Sequence, residues 1–149
     1  MTSGEAGGDP RHRARESALQ MLYQWEIGGA DLDEVWAAYD RVRPIELDES
    51  AREMAQALVA GTAACLGRID PLIEEQSAHW RLERMSVVDR LILRLAVYEL
   101  LETPTTPRSV VIDEALELAR TFSTEAAVKF VNGVLDGIAR RLPAAGGPA

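Results

Sequence analysis

The residue types that most often carry nucleophilic or metal chemistry are scarce in this chain. It holds one cysteine, Cys65, and two histidines, His12 and His79. Cys65 lies in an Ala-Ala-Cys-Leu run of helical character, where a thiol usually packs as a small hydrophobe. His79 is the nearest candidate base for it, yet no helical spacing joins the two and no third group orients the imidazole. One cysteine and two distant histidines give no metal-ligand spacing. The acidic pairs Asp113-Glu114 and Glu74-Glu75 are adjacent on helical segments, so their side chains diverge. No glycine-rich phosphate loop follows a strand. The chain reads as non-enzymatic, with no cofactor and no metal.

Cations at two helix beginnings are the better candidates. Arg11, Arg13 and Arg15 open the ordered chain, with His12 between them. On a helix, Arg11 and Arg15 lie one turn apart and Arg13 projects from the polar face. Guanidiniums so placed engage phosphates and stack on unpaired bases. They also oppose the helix dipole, which favours acids at that end, and a broken local rule often marks function. The second point is Lys129, the one lysine of the chain, followed by Phe130 and Asn132. A lysine, an aromatic ring and an amide near a helix start suit a single-stranded nucleotide: phosphate contact, stacking and base-edge hydrogen bonds. Taken alone, Phe130 reads better as core. Gly133 and Gly137 would allow close helix packing or close approach of a ligand.

The elements that must position these residues are all helical. Ala, Leu, Glu and Arg dominate, aromatic residues make up only 5%, and alternating strand patterns are missing. The spacing predicts a helix over residues 11–27 with Ala14, Ala18, Met21, Leu22 and Trp25 inward, opposite Arg13, Ser17, Gln20 and Gln24. Gly28-Gly29 ends it. Asp31 caps a short helix to Val42, which Pro44 closes off. A third helix starts near Asp48. Gly67 and Asp70-Pro71 mark a kink or break before residues 72–80. Residues 87–101 are apolar on nearly every side, hence central. Thr106-Pro107 reads as N-cap and first-turn proline of a helix to Phe122, and Ser123 as the cap of the last. About seven helices in a compact all-α single domain, over residues 11–142, is the expectation. Residues 1–10 form a disordered arm and 143–149 a disordered tail, because neither can bury apolar surface.

Composition narrows the function classes. The formal net charge is −8, which by itself disfavours nucleic acid. Its distribution matters more, since salt screens charges beyond roughly 8 Å at physiological ionic strength. No apolar run is long enough for a membrane span, and the start lacks the basic-then-apolar layout of a signal peptide. A cytoplasmic protein is expected.

Several stretches together resemble the NusB family of transcription antitermination factors: Arg11-His-Arg-Ala-Arg15, Ala18-Leu-Gln-Met-Leu-Tyr-Gln24, Val87-Val-Asp-Arg-Leu-Ile-Leu-Arg94, Tyr98-Glu-Leu100, Val111-Ile-Asp-Glu-Ala115 and Lys129-Phe-Val-Asn-Gly-Val-Leu-Asp136. The resemblance implies two packed helical subdomains. It further implies binding of boxA-type RNA in nascent rRNA, and pairing with NusE, a small-subunit ribosomal protein. Other Nus factors and RNA polymerase would complete the assembly, which promotes processive rRNA transcription. By the same resemblance Arg11, Arg13, Arg15, Lys129, Phe130 and Asn132 would contact RNA, and Tyr23, Asp89 and Glu99 would face NusE. Asp89 replaces the glutamate common in relatives, so its reach is shorter. His12 stands where relatives often carry another arginine.

The acidic body would attract a basic ribosomal protein, and the pair would then present one cationic track. Arg11, Arg13, Arg15 and Lys129 would neutralise about three or four phosphates, giving log K against log salt a slope of roughly −2 to −3. An alternative keeps the fold but drops the RNA: a protein-only adaptor or homodimer with the basic patch buried in its interface. Certain rRNA methyltransferases carry a NusB-like amino-terminal module, but 149 residues leave no room for a methyl-donor domain.

Overall fold

A computed structural model describes residues 9–77 and 80–143. The expected arm and tail, apart from Asp9, Pro10 and Pro143, lie outside the described residues, as does His79. Among the described residues there are seven α-helices and one 3-10 turn and no strand. They are α1 (Pro10–Gly28), α2 (Leu32–Val42), α3 (Glu49–Ala64), α4 (Leu66–Gln76), the 3-10 turn (Leu82–Arg84), α5 (Val87–Glu102), α6 (Arg108–Phe122) and α7 (Glu125–Arg141). The chain divides into two compact units between Ala63 and Ala64.

Local chemistry sets most helix ends. Asp9 Oδ1 accepts from Arg11 N at 3.0 Å, and Pro10 takes the first helical position, where a missing N–H costs nothing. Gly29 closes α1 in the left-handed region at φ 72°, which a side chain would strain. Asp31 and Glu34 form a reciprocal capping box on α2, at 2.9 and 3.2 Å. Arg43 then ends α2 at φ 48°. Asp48 Oδ1 accepts from Ala51 N at 2.8 Å and caps α3.

In the first unit, α1 packs on α2. Ala14, Ala18, Met21 and Leu22 are buried as the period demands, but Trp25 is only half-buried, and Leu19 and Ser17 are buried as well. Ser17 therefore does not stand on a solvated polar face. The Tyr39 hydroxyl of α2 covers it, donating to Ser17 Oγ at 2.7 Å and lying 3.0 Å from Gln20 Oε1. Arg52 of α3 ties back to α2 through Asp40 at 2.6 Å and lies over the Trp36 ring at 5.2 Å.

Burial pushes the Tyr39 hydroxyl above the ordinary tyrosine value of 10.0, Glu16 adds to the rise, and the Ser17 hydrogen bond opposes it. A raised folded value stabilises the protein below the unfolded tyrosine pKa, and that contribution disappears as pH rises through the folded one. Tyr39→Phe is expected to cost about 1–2 kcal/mol at pH 7, because Ser17 keeps its burial and loses its donor. The same variant should lose less stability than the parent on going from pH 9 to pH 11, as read from urea midpoints.

In the second unit α5 is central, packing on α4, α6 and α7. Leu91, Ile92, Leu93, Leu95, Ala96 and Val97 are all buried, which only a helix covered around its circumference allows. Arg94, inside this apolar run, forms a two-pronged ion pair with Asp70 of α4, with Nε–Oδ1 and Nη2–Oδ2 both at 2.9 Å. The expected break at Gly67 or Asp70-Pro71 falls instead at Cys65, between α3 and α4. Pro71 continues within α4 because both it and Gly67 are exposed, so the carbonyl that loses its partner meets water. Helix α4 ends at Gln76, four residues before the expected end.

Two caps shift by one residue. Pro107 is the N-cap of α6 rather than its first helical residue. Thr124, not Ser123, caps α7, accepting from Ala127 N at 3.0 Å. Ser123 is committed elsewhere: its hydroxyl donates to Asp89 Oδ1 at 2.6 Å. Of the two glycines of α7, Gly137 receives the Gln76 side chain so closely that an added Cβ would stand 2.1 Å from Gln76 Nε2, while Gly133 has open space.

Candidate nucleic-acid interface

The first unit carries the arginine cluster. The first turn of α1 contains no acid, so the Asp9 cap is the negative group at its N-terminus. Arg11 is exposed, Arg13 is half-buried with its Nε enclosed and without a hydrogen-bond partner, and Arg15 is 3% exposed. Arg15 thus belongs to the packed side of α1 beside Ala14 and Ala18, and its guanidinium is not on offer to a phosphate. The i, i+4 spacing placed Arg15 beside Arg11 correctly, but spacing does not reveal how deep the neighbouring helices sit.

The same unit holds a groove of about 520 Å³ along α1 and α2, lined by Tyr23, Gln24, Val35, Tyr39 and Val42 among others. Tyr23 on its wall is 41% exposed.

The second unit carries the other basic point. Lys129 and Asn132 are exposed on one face of α7, three residues apart, and Phe130 is half-buried. Asp136 on the same line is paired with Arg140 at 2.7 Å. Phe130 is therefore neither free in solvent nor sealed in the core. It lines a cavity of about 300 Å³ together with Trp80, Arg84, Met85, Asp89 and Thr124. Asp89, half-buried, sits in the first turn of α5, where its N–H donates to Ser86 Oγ at 3.1 Å. Its carboxylate joins the start of α5 to the α6–α7 junction through Ser123. That structural tie was not legible in the sequence, since 34 residues separate the partners.

Glu99 departs from its expected place. At 3% exposure on the central helix α5 it presents no surface to a partner. Cys65 is half-buried at the turn between α3 and α4, not within a helix. Among the described residues no cluster of three or more His, Cys, Asp or Glu side chains could hold a metal ion, and no helix is long and apolar enough to cross a membrane.

Solved structures with this fold define its class, the all-helical antitermination factors. T. maritima NusB superposes with a TM-score of 0.79 at 40% identity, over 89% of this chain and 92% of that one. A complex of the antitermination factors NusB and NusE with dsRNA gives 0.80 at 31% identity, over 89% and 98%. The chain belongs to the NusB family, whose sequence pattern matches residues 12–140. A transcription antitermination protein NusB from Sorangium cellulosum is 46% identical over 132 residues, 89% of this chain and 93% of its own length.

Proposed function

We propose that this chain is a cytoplasmic, non-catalytic antitermination factor that binds boxA-type RNA in nascent rRNA transcripts together with NusE, and so keeps RNA polymerase processive with the other Nus factors. The observation that carries this reading is the fold shared with NusB in a NusB–NusE–dsRNA complex, at 31% identity over 89% of this chain. Exposed Arg11 and half-buried Arg13 on the first unit, and exposed Lys129 and Asn132 beside Phe130 on the second, supply the RNA contacts. Tyr23, and Asp89 with its second carboxylate oxygen, supply those to NusE. Arg15 and Glu99, being buried, support the helices that carry these groups.

The net charge of −8 limits what the chain does unaided. Arg11, Arg13 and Lys129 neutralise about three phosphates, so log K falls against log salt with a slope of about −2 for a single strand. A basic ribosomal protein docked on the acidic body adds its own cations and accelerates encounter. Fluorescence anisotropy of a labelled single-stranded boxA-type RNA across salt, with and without NusE, tests this. NusE should tighten binding and steepen the slope. Equal affinity and slope in both titrations would remove the cooperative reading, and a duplex control reports whether pairing of the RNA matters.

A further inference from the structure

Trp80 is the largest exposed hydrophobic side chain in the second unit, 54% accessible, and nothing above assigns it a task. Its backbone is hydrogen-bonded through both its N–H and its carbonyl. Trp80 N donates to Ser77 O at 2.8 Å, and Ser77 Oγ donates to Ile73 O at 2.7 Å while approaching Trp80 O at 3.1 Å. The adjoining 3-10 turn is pinned from α5, where Arg90 Nη1 donates to Leu82 O at 3.1 Å. An indole left half in water gives up burial that the core would have rewarded.

That indole lines the same cavity of about 300 Å³ as Phe130, at the small end of the range for ligand sites. Arg84, exposed, stands on the cavity wall, and Ser86 and Thr124 add hydroxyls. Lys129 adjoins Phe130 in the chain and is exposed as well. Two acids stand close by: Asp89, whose Oδ1 accepts from Ser123, lines the cavity, and Glu83 lies 3.9 Å from Arg81. Two aromatic rings and a guanidinium on the wall of one cavity are groups that single-stranded nucleic acid exploits, since every base has a face to stack and every linkage carries a charge. A partner protein's apolar side chain would use the rings but leave Arg84 without an anion.

We propose that Trp80 and Phe130 wall a slot for one unpaired RNA base, and that Arg84 meets a phosphate flanking that base. The proposal rests on the reading that the chain binds RNA and names the place where one base is gripped.

Anisotropy with a labelled single-stranded boxA-type RNA, using the full chain with NusE present, tests it. Trp80→Leu should weaken binding by roughly five- to a hundredfold, the range of one lost base–aromatic stack, with the salt slope unchanged. Trp80→Phe should recover most of the loss. Arg84→Gln should instead flatten the slope by about 0.7. RNAs with a single abasic nucleotide should reveal one position at which Trp80→Leu no longer matters. Far-UV circular dichroism checks that each variant folds. If Trp80→Leu leaves affinity intact while Arg11→Ala with Arg13→Ala still lowers it, the slot is wrong and the RNA reading stands. If none of these variants changes affinity, the RNA reading fails and the slot with it. Intact RNA binding with weakened NusE binding would assign the cavity to the protein partner and overturn the proposal.

Discussion

Replacing Arg11, Arg13 and Lys129 together by alanine is expected to lower affinity for single-stranded boxA-type RNA about fiftyfold at 0.15 M salt. Each phosphate contact on a single strand contributes about 0.7 to the slope of log K against log salt, which corresponds to nearly fourfold in affinity between 1 M and 0.15 M salt. Three contacts multiply to about fifty, and the slope should flatten by about 2. Arg11 and Lys129 are exposed and Arg13 half-buried, so the substitutions remove charge with little loss of packing. Arg15→Ala makes the contrasting control. At 3% exposure Arg15 supports α1 from its packed side, so its loss should appear in the thermal melt before it appears in the salt slope. A triple variant that keeps the parental slope would show that these cations do not meet phosphates.

Asp70→Ala carries the largest stability effect expected of a single polar change. The Arg94 side chain is 11% exposed and Asp70 25%, with both prongs of the pair at 2.9 Å. Removing the carboxylate takes both bonds of the fork from a guanidinium on the central helix, and breaking a buried pair costs up to about 3–5 kcal/mol. The partial exposure of Asp70 admits water, which brings the expectation to about 2–3 kcal/mol. That is a large share of the 5–15 kcal/mol by which domains are typically stable, and it corresponds to a fall in Tm of about 6–12 °C for a chain of this size. Asp70→Asn should lose less, because an amide oxygen still accepts one of the two bonds. Glu102→Ala, which breaks the exposed Arg68–Glu102 pair at 2.7 Å, should leave the melt close to the parent. Equal shifts for the Asp70 and Glu102 variants would mean that net charge, not the fork, is what the melt reports.

Ser17, Arg15 and Glu99 illustrate where sequence reading stops. Each lies on a helix that the periodicity located correctly, and each reads as a surface residue by type. Ser17 is covered because Tyr39 of α2 reaches across to it, and Glu99 is buried on a helix that packs against three others. A helix pattern records which residue types face inward. It does not record how many neighbours a helix acquires. Trp80 is illegible in the sequence for a related reason: as the last residue of a helix over 72–80 it needs no explanation, whereas beyond the end of α4 at Gln76 it becomes an exposed indole on a cavity wall.

What the sequence determined by itself is local. Capping at Asp31 and Glu34, the left-handed stop at Gly29, the continuous apolar run of α5 and the family pattern through Lys129-Phe-Val-Asn132 depend on residues within a turn or two of each other, so the chain order suffices to read them. Tertiary structure alone decided that Ser123 serves Asp89 rather than its own helix, that Arg94 spans to Asp70, and that Phe130 shares a cavity with Trp80. Those pairings join residues dozens of positions apart, and they exist only because burial of the apolar faces brings the helices together and leaves each polar group to find a partner in whatever neighbour it meets.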